Sequence, residues 1–160
     1  MNRRDFLKSA LITGAALGLP AGMDPLLTVL KAAERPDLAV VRGTPPAAIT
    51  RAAIDSLGGM KRFVSRGDVV VVKPNIGWDR TPEYAANTNP EVVGAVVRLC
   101  FEAGAKQVKV FDRPVNDPRR TYRQSGIAAA ASALGASVLF TDSRKFKDMR
   151  INGSSLKSWP

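Results

Sequence analysis

The sequence predicts an α/β protein built on a mostly parallel β-sheet with helices packed on it. Three observations predict it. Short Val-rich runs alternate with longer segments whose apolar residues recur at helical spacing. Val69-Val70-Val71-Val72 reads as a central parallel strand covered on both faces. A degenerate repeat closes two units alike: Glu102-Ala103-Gly104-Ala105 precedes a strand ending at Asp112, and Leu134-Gly135-Ala136 precedes one ending near Asp142. Both read as helix, glycine cap, strand and acidic turn, the pattern of successive βα units rather than of a solenoid.

Residues 1–33 are set aside from the fold. Asn2-Arg3-Arg4-Asp5-Phe6-Leu7-Lys8 resembles the bacterial twin-arginine export signal, and the Ala-, Gly- and Leu-rich run Ser9 to Leu19 follows. That run is shorter than the roughly 20 residues a membrane-spanning helix needs, so it fits a signal peptide. The resemblance implies handling by the twin-arginine translocase and a periplasmic destination, or a membrane tether if the signal is retained. It also raises the prospect of a cofactor inserted before export, without naming one.

The remaining elements follow in order. Asp37 to Arg42 reads as a short strand. Thr44-Pro45-Pro46 opens a helix running to Leu57, with Thr44 as its N-cap, and Gly58-Gly59 stops it. The valine strand ends at Lys73-Pro74-Asn75, since Pro74 cannot donate to a ladder. A long polar loop, Ile76 to Thr88, comes next; loops of that length are commonly functional. Asn89 as N-cap, Pro90 in the first turn and Glu91 at the positive helix end start a second helix. Gly104 takes its left-handed C-cap. Val108 to Phe111 form a strand closing at Asp112-Arg113-Pro114. A second polar loop is expected from Pro114 to Ser125, then an Ala-rich helix to Leu134 and a strand at Ser137 to Phe140. Asn152-Gly153 gives a hairpin signal. The architecture expected is a three-layer, Rossmann-like sheet with helices on both faces. Four strands and a hairpin leave edges uncovered, so the sheet is expected to be incomplete, the N-terminal half of a longer domain spanning residues 34–160 here.

Composition limits the chemistry. The 160 residues include 24 Lys and Arg against 14 Asp and Glu, a net charge of +10, with no His and one Cys. Without His there is no Ser-His or Cys-His machinery and no His metal ligand. A single Cys excludes an internal disulfide, a Cys-rich zinc site and an iron–sulfur cluster held by this chain alone. No Gly-x-Gly-x-x-Gly or Walker-type loop is present. The positive charge is spread without the aromatic interleaving of a single-strand binder, so no nucleic-acid partner is expected. Cofactor identity and catalytic residues stay unassigned.

In open parallel sheets ligands bind beyond the carboxyl ends of the strands. Lys73, Asn75, Asp112, Arg113 and the helix start at Asn89 all fall on that edge. They form the candidate site for a small anionic ligand. Lys73 supplies a counter-charge, or a base if desolvated. Asn75 orients a ligand or bonds its own turn. Asp112 holds a metal, a ribose hydroxyl or Arg113, or only its turn. Asn89 offers helix N–H groups or is a plain cap. Arg119, Arg120 and Arg123 form an anion clamp or a solvated face, and Trp78 and Tyr84 either pack the long loop or cover a ligand. Cys100 belongs to the core.

Gly67-Asp68-Val69-Val70-Val71-Val72-Lys73-Pro74-Asn75 resembles the signature of the DUF362 family. The likeness continues through Thr88-Asn89-Pro90-Glu91-Val92-Val93, Glu102-Ala103-Gly104-Ala105, Val108-x-Val110-x-Asp112 and Ser125-Gly126-Ile127. The resemblance implies an exported α/β protein with a redox or metal link; some members carry a ferredoxin-like cluster domain, and members are longer than this chain. It carries over only Lys73 and Asn75 as site positions. Three functional expectations follow: a redox- or metal-linked enzyme of this type, a non-catalytic periplasmic accessory module for a redox partner, or a fragment whose site is completed elsewhere.

Overall fold

The computed structural model of the chain describes residues 36–159; the twin-arginine segment lies outside them. The order is α1 (Pro46–Ser56), a 3-10 turn at Met60–Arg62, β1 (Val69–Val72), a 3-10 turn at Pro82–Tyr84, then α2 (Pro90–Ala103) and β2 (Gln107–Val110). It continues through α3 (Pro118–Gln124), α4 (Ile127–Ser132), β3 (Ser137–Val138), a 3-10 turn at Ser143–Lys145, β4 (Met149–Arg150) and β5 (Ser158–Trp159).

Strands β1, β2 and β3 form one parallel sheet in that order. Val70 lies opposite Val108, Val72 opposite Val110, and Val110 opposite Val138. Two successive crossovers stepping the same way across a sheet put their helices on one face, because both take the usual right-handed turn. The core matches this. Val70, Val72, Val108, Val110 and Val138 pack with Val93, Val97, Cys100, Ile127 and Ala131 from α2 and α4. Helix α1 packs on α2, where Arg51 Nη2 donates to both Glu102 oxygens at 2.8 Å.

Among the described residues the valine run is therefore a one-sided strand at the end of the sheet, not the central strand expected. Val69 and Val71 point to the opposite face and stay 53% and 54% exposed. Four β-branched residues satisfy the extended backbone equally well in either place, so composition alone does not distinguish them. The described residues supply the helical layer on one face of the sheet.

Three further expectations are corrected. Residues 37–42 form no strand: they run irregularly, Leu38 and Val40 are exposed, and no strand among the described residues pairs with them. The polar stretch after Pro114 contains helix α3. Asp117 caps it, accepting from Arg120 N at 3.0 Å, and Pro118 takes the first turn. Only Thr121 and Tyr122 of α3 are buried, too few to mark an apolar stripe. Pro45, not Thr44, precedes the first turn of α1. The C-terminal hairpin forms, with Met149 opposite Trp159 and Ile151 N bonding Lys157 O at 2.9 Å, around a turn longer than Asn152-Gly153 alone.

The Asn89 cap and the Gly104 stop appear as expected. Gly104 sits at φ 105°, and Gly104 N and Ala105 N bond the carbonyls of Phe101 and Cys100 at 2.9 and 3.0 Å, closing α2 with a Schellman pair. A Cβ at Gly104 would stand 3.2 Å from the Arg66 Cα. Gly104→Ala is expected to destabilise the fold by about 1–2 kcal/mol through left-handed strain alone, read as a lower urea midpoint with unchanged slope.

Candidate functional site

The two long connections at the carboxyl ends of β1 and β2 are stitched together. The Ile76 amide donates to Asp112 Oδ2 at 2.8 Å, and the Val115 and Asn116 amides donate to Gly77 O at 2.9 and 3.2 Å. Asp79 N donates to Asn116 Oδ1 at 3.0 Å. Within the first loop, Asn87 accepts from Trp78 N at 3.0 Å and donates to the carbonyls of Trp78 and Arg80. Ile76 is fully buried beneath these loops and anchors them to the core. Side-chain amides here replace the ladder that irregular backbone lacks.

Asp112 is the hub. It is 5% exposed, and its other oxygen, Oδ1, lies 2.6 Å from the Lys73 ammonium. The register carries this pair: Val72 faces Val110, and Lys73 leaves β1 one residue on while Asp112 leaves the adjacent β2 two residues on. Burial pushes the Asp112 carboxyl up, but Lys73 and the backbone amides of Ile76 and Arg113 outweigh burial and hold it below the usual carboxylate range. The Asp112 backbone is held as well. Its N–H donates to the Tyr122 hydroxyl at 2.8 Å, and that hydroxyl donates back to the Asp112 carbonyl at 3.0 Å. Burial is the main reason the Tyr122 phenol sits above its ordinary pKa, so it stays protonated as a donor.

The other sequence candidates are placed as follows. Asn75 spends its side chain on the loop, accepting from Gly77 N at 3.1 Å and donating to Ala86 O at 3.1 Å. Asn89 Oδ1 accepts from Glu91 N at 2.8 Å as the cap of α2. Arg113 lies over the Phe146 ring, 5.3 Å from its centroid. Arg120 forms an ion pair with Asp79 at 2.7 Å, so it does not act with Arg119 and Arg123 as a simple cluster. Thus the structure pairs Lys73 with Asp112, while Asn75, Asn89 and Arg113 each have a local partner. Among the described residues no three His, Cys, Asp or Glu side chains converge as a metal site.

Two features escape the sequence reading. Tyr122 is buried in what reads as a polar loop; its only signal is the Asp117-Pro118 helix start that places it one turn in. A cleft of about 530 Å³ opens between the loops, lined by Trp78, Asp79, Arg80, Asn116, Asp117 and Arg120. No spacing rule shows that the two loops meet.

Residues 1–20 match the signal sequence of the twin-arginine translocation pathway, so the translocase handles the chain and exports it to the periplasm. No helix among the described residues is long and apolar enough to cross a membrane. The thylakoid-associated protein sll1697 of Synechocystis sp. is 31% identical over 113 residues, covering 66% of this chain and 35% of that protein. The chain thus spans about a third of the length of the curated relative it matches. No solved structure matches. Residues 70–160, which include β1 from its second valine, Lys73 and Asp112, match the domain of unknown function DUF362, and the chain belongs to that family.

Proposed function

We propose that this exported protein binds a small anionic ligand at the carboxyl edge of its sheet, with Lys73 as counter-charge and Asp112 holding Lys73 in place. In this reading residues 34–160 act as one ligand-binding domain, with Asn75, Asn89 and Arg113 bounding the site. The observation that carries it is the asymmetry of the ion pair: the Asp112 side chain is 7% exposed and the Lys73 side chain 65%. A buried carboxylate anchored by backbone amides is a fixed post. The ammonium it holds has three donors and uses one on Asp112, leaving two for a ligand oxygen at the strand edge.

The test is titration calorimetry on the full chain recovered from periplasm, with inorganic phosphate, pyrophosphate and citrate as probes. At least one is expected to bind, with affinity falling with salt and at least about tenfold weaker in Lys73→Ala, the loss of one charge-assisted contact. Binding of none, or equal binding by Lys73→Ala, removes the reading.

A second reading is favoured by the relative's description as thylakoid-associated: a non-catalytic accessory module working at a membrane surface. After osmotic shock it expects the chain to remain with membranes and to leave them in high salt, as surface-held proteins do. Full release at low salt counts against it.

A further inference from the structure

We infer that the cleft between the two loops is a second binding site, for a small aromatic zwitterion that sets its ring on Trp78, its carboxylate on Arg80 and its ammonium on Asp117. This goes beyond the anion reading and needs nothing from Lys73.

Preformation is the first support. Both walls are held by the loop-to-loop bonds, Asp79 N to Asn116 Oδ1 at 3.0 Å and Val115 N to Gly77 O at 2.9 Å. A ligand entering a pinned cleft does not have to order it, and that cost otherwise erodes affinity. The second support is Trp78. Its backbone is fixed at both N–H and C=O by Asn87, yet the residue remains 45% exposed. A large flat apolar surface held in place but left open is suited to stacking a ring.

The charges decide the ligand class. Asp79 is nearly covered, and its carboxylate is neutralised by Arg120 at 2.7 Å, so that pair adds little net charge. Arg80 spends one Nη on the Asp79 carbonyl at 2.8 Å and has no carboxylate partner among the described residues. Asp117 accepts one bond from Arg120 N at 3.0 Å and has no side-chain cation partner there. The cleft is left with one exposed guanidinium and one exposed carboxylate that have no charged side-chain partner among the described residues. A purely anionic or purely cationic ligand leaves one of them facing a like charge or only water; a zwitterion pairs with both.

The test uses phenylalanine, phenylacetate and phenethylamine with the full chain. Trp159→Phe removes the other indole, which lies in the exposed hairpin, so emission excited at the indole edge reports Trp78 alone. Phenylalanine is expected to change that emission saturably, with an affinity about tenfold above either single-charge analogue, the value of one charge-assisted contact. Arg80→Gln is expected to abolish the preference for phenylalanine over phenethylamine. Asp117→Asn is expected to abolish the preference over phenylacetate while keeping the cap of α3, since Asn caps as well as Asp. Lys73→Ala is expected to leave all three titrations unchanged, which separates this site from the anion site. No saturable change with phenylalanine up to about 10 mM, weaker than any useful site on the affinity scale, overturns the proposal. So does equal binding of phenylalanine and phenylacetate that Asp117→Asn does not alter.

Discussion

Asp112→Ala is expected to destabilise the fold by about 2–3 kcal/mol, the cost of leaving a buried donor without its acceptor. The orphan is the Ile76 amide, which donates to Asp112 Oδ2 at 2.8 Å inside the loop junction. Ile76 is itself completely buried, so water cannot replace the lost oxygen without opening the core beneath. The Lys73 pairing adds less, because the ammonium is mostly exposed and regains water when the carboxylate goes. Asp112→Asn separates the two parts. It keeps an acceptor for Ile76 and loses the charge, and about 1 kcal/mol or less is expected from it near neutral pH.

The pH dependence has a definite sign. Asp112 has its carboxyl lowered in the folded chain, with burial opposing and Lys73 and the backbone amides prevailing. Its ionised form therefore stabilises the fold at all pH values above the unfolded carboxylate range, near 4. That contribution fades as pH falls through the lower folded value. The stability gap between wild type and Asp112→Asn, read from urea midpoints between neutral pH and pH 3, is expected to close only on the acid side. A gap that persists unchanged at low pH would mean that charge plays no part in what Asp112 does.

Much of this arrangement is written locally in the chain. Asn89, Pro90 and Gly104 announce both ends of α2, because capping chemistry acts within a turn of the residue that supplies it. Val108 and Val110 announce the buried strand by their spacing, and both are fully covered. The strand ends that hold Lys73 and Asp112 are equally legible. That the two side chains meet is not, since the meeting depends on the register of β1 against β2. The valine run misleads for the same kind of reason: strand propensity describes a backbone, and the count of neighbouring strands belongs to the fold. Asp37 to Arg42 has the residues of a strand and, among the described residues, no strand beside it. Helix α3 hides behind its arginines, although Asp117-Pro118 states its start plainly. The cleft is the least legible feature, because it exists only where two loops from different strands are bonded together.

Tyr122→Phe is expected to cost about 2–3 kcal/mol, a large effect for the loss of one oxygen. The hydroxyl fills two roles at once, accepting from the Asp112 amide at 2.8 Å and donating to the Asp112 carbonyl at 3.0 Å. Removing it orphans both groups in a place where Tyr122 itself is 2% exposed. The ring remains, with its centroid 4.8 Å from that of Phe140, so the change leaves no large void and the loss reports the hydrogen bonds. Since the same residue that Tyr122 holds by its backbone holds Lys73 by its side chain, the two contacts form one unit. A double-mutant cycle of Tyr122→Phe with Asp112→Asn is then expected to show a coupling of at least about 0.5 kcal/mol, the range for residues that share a network. Strict additivity would show that the hydroxyl supports only the backbone turn. Coupling would make Tyr122, from a helix hidden in a polar stretch, the residue that positions Lys73 through Asp112.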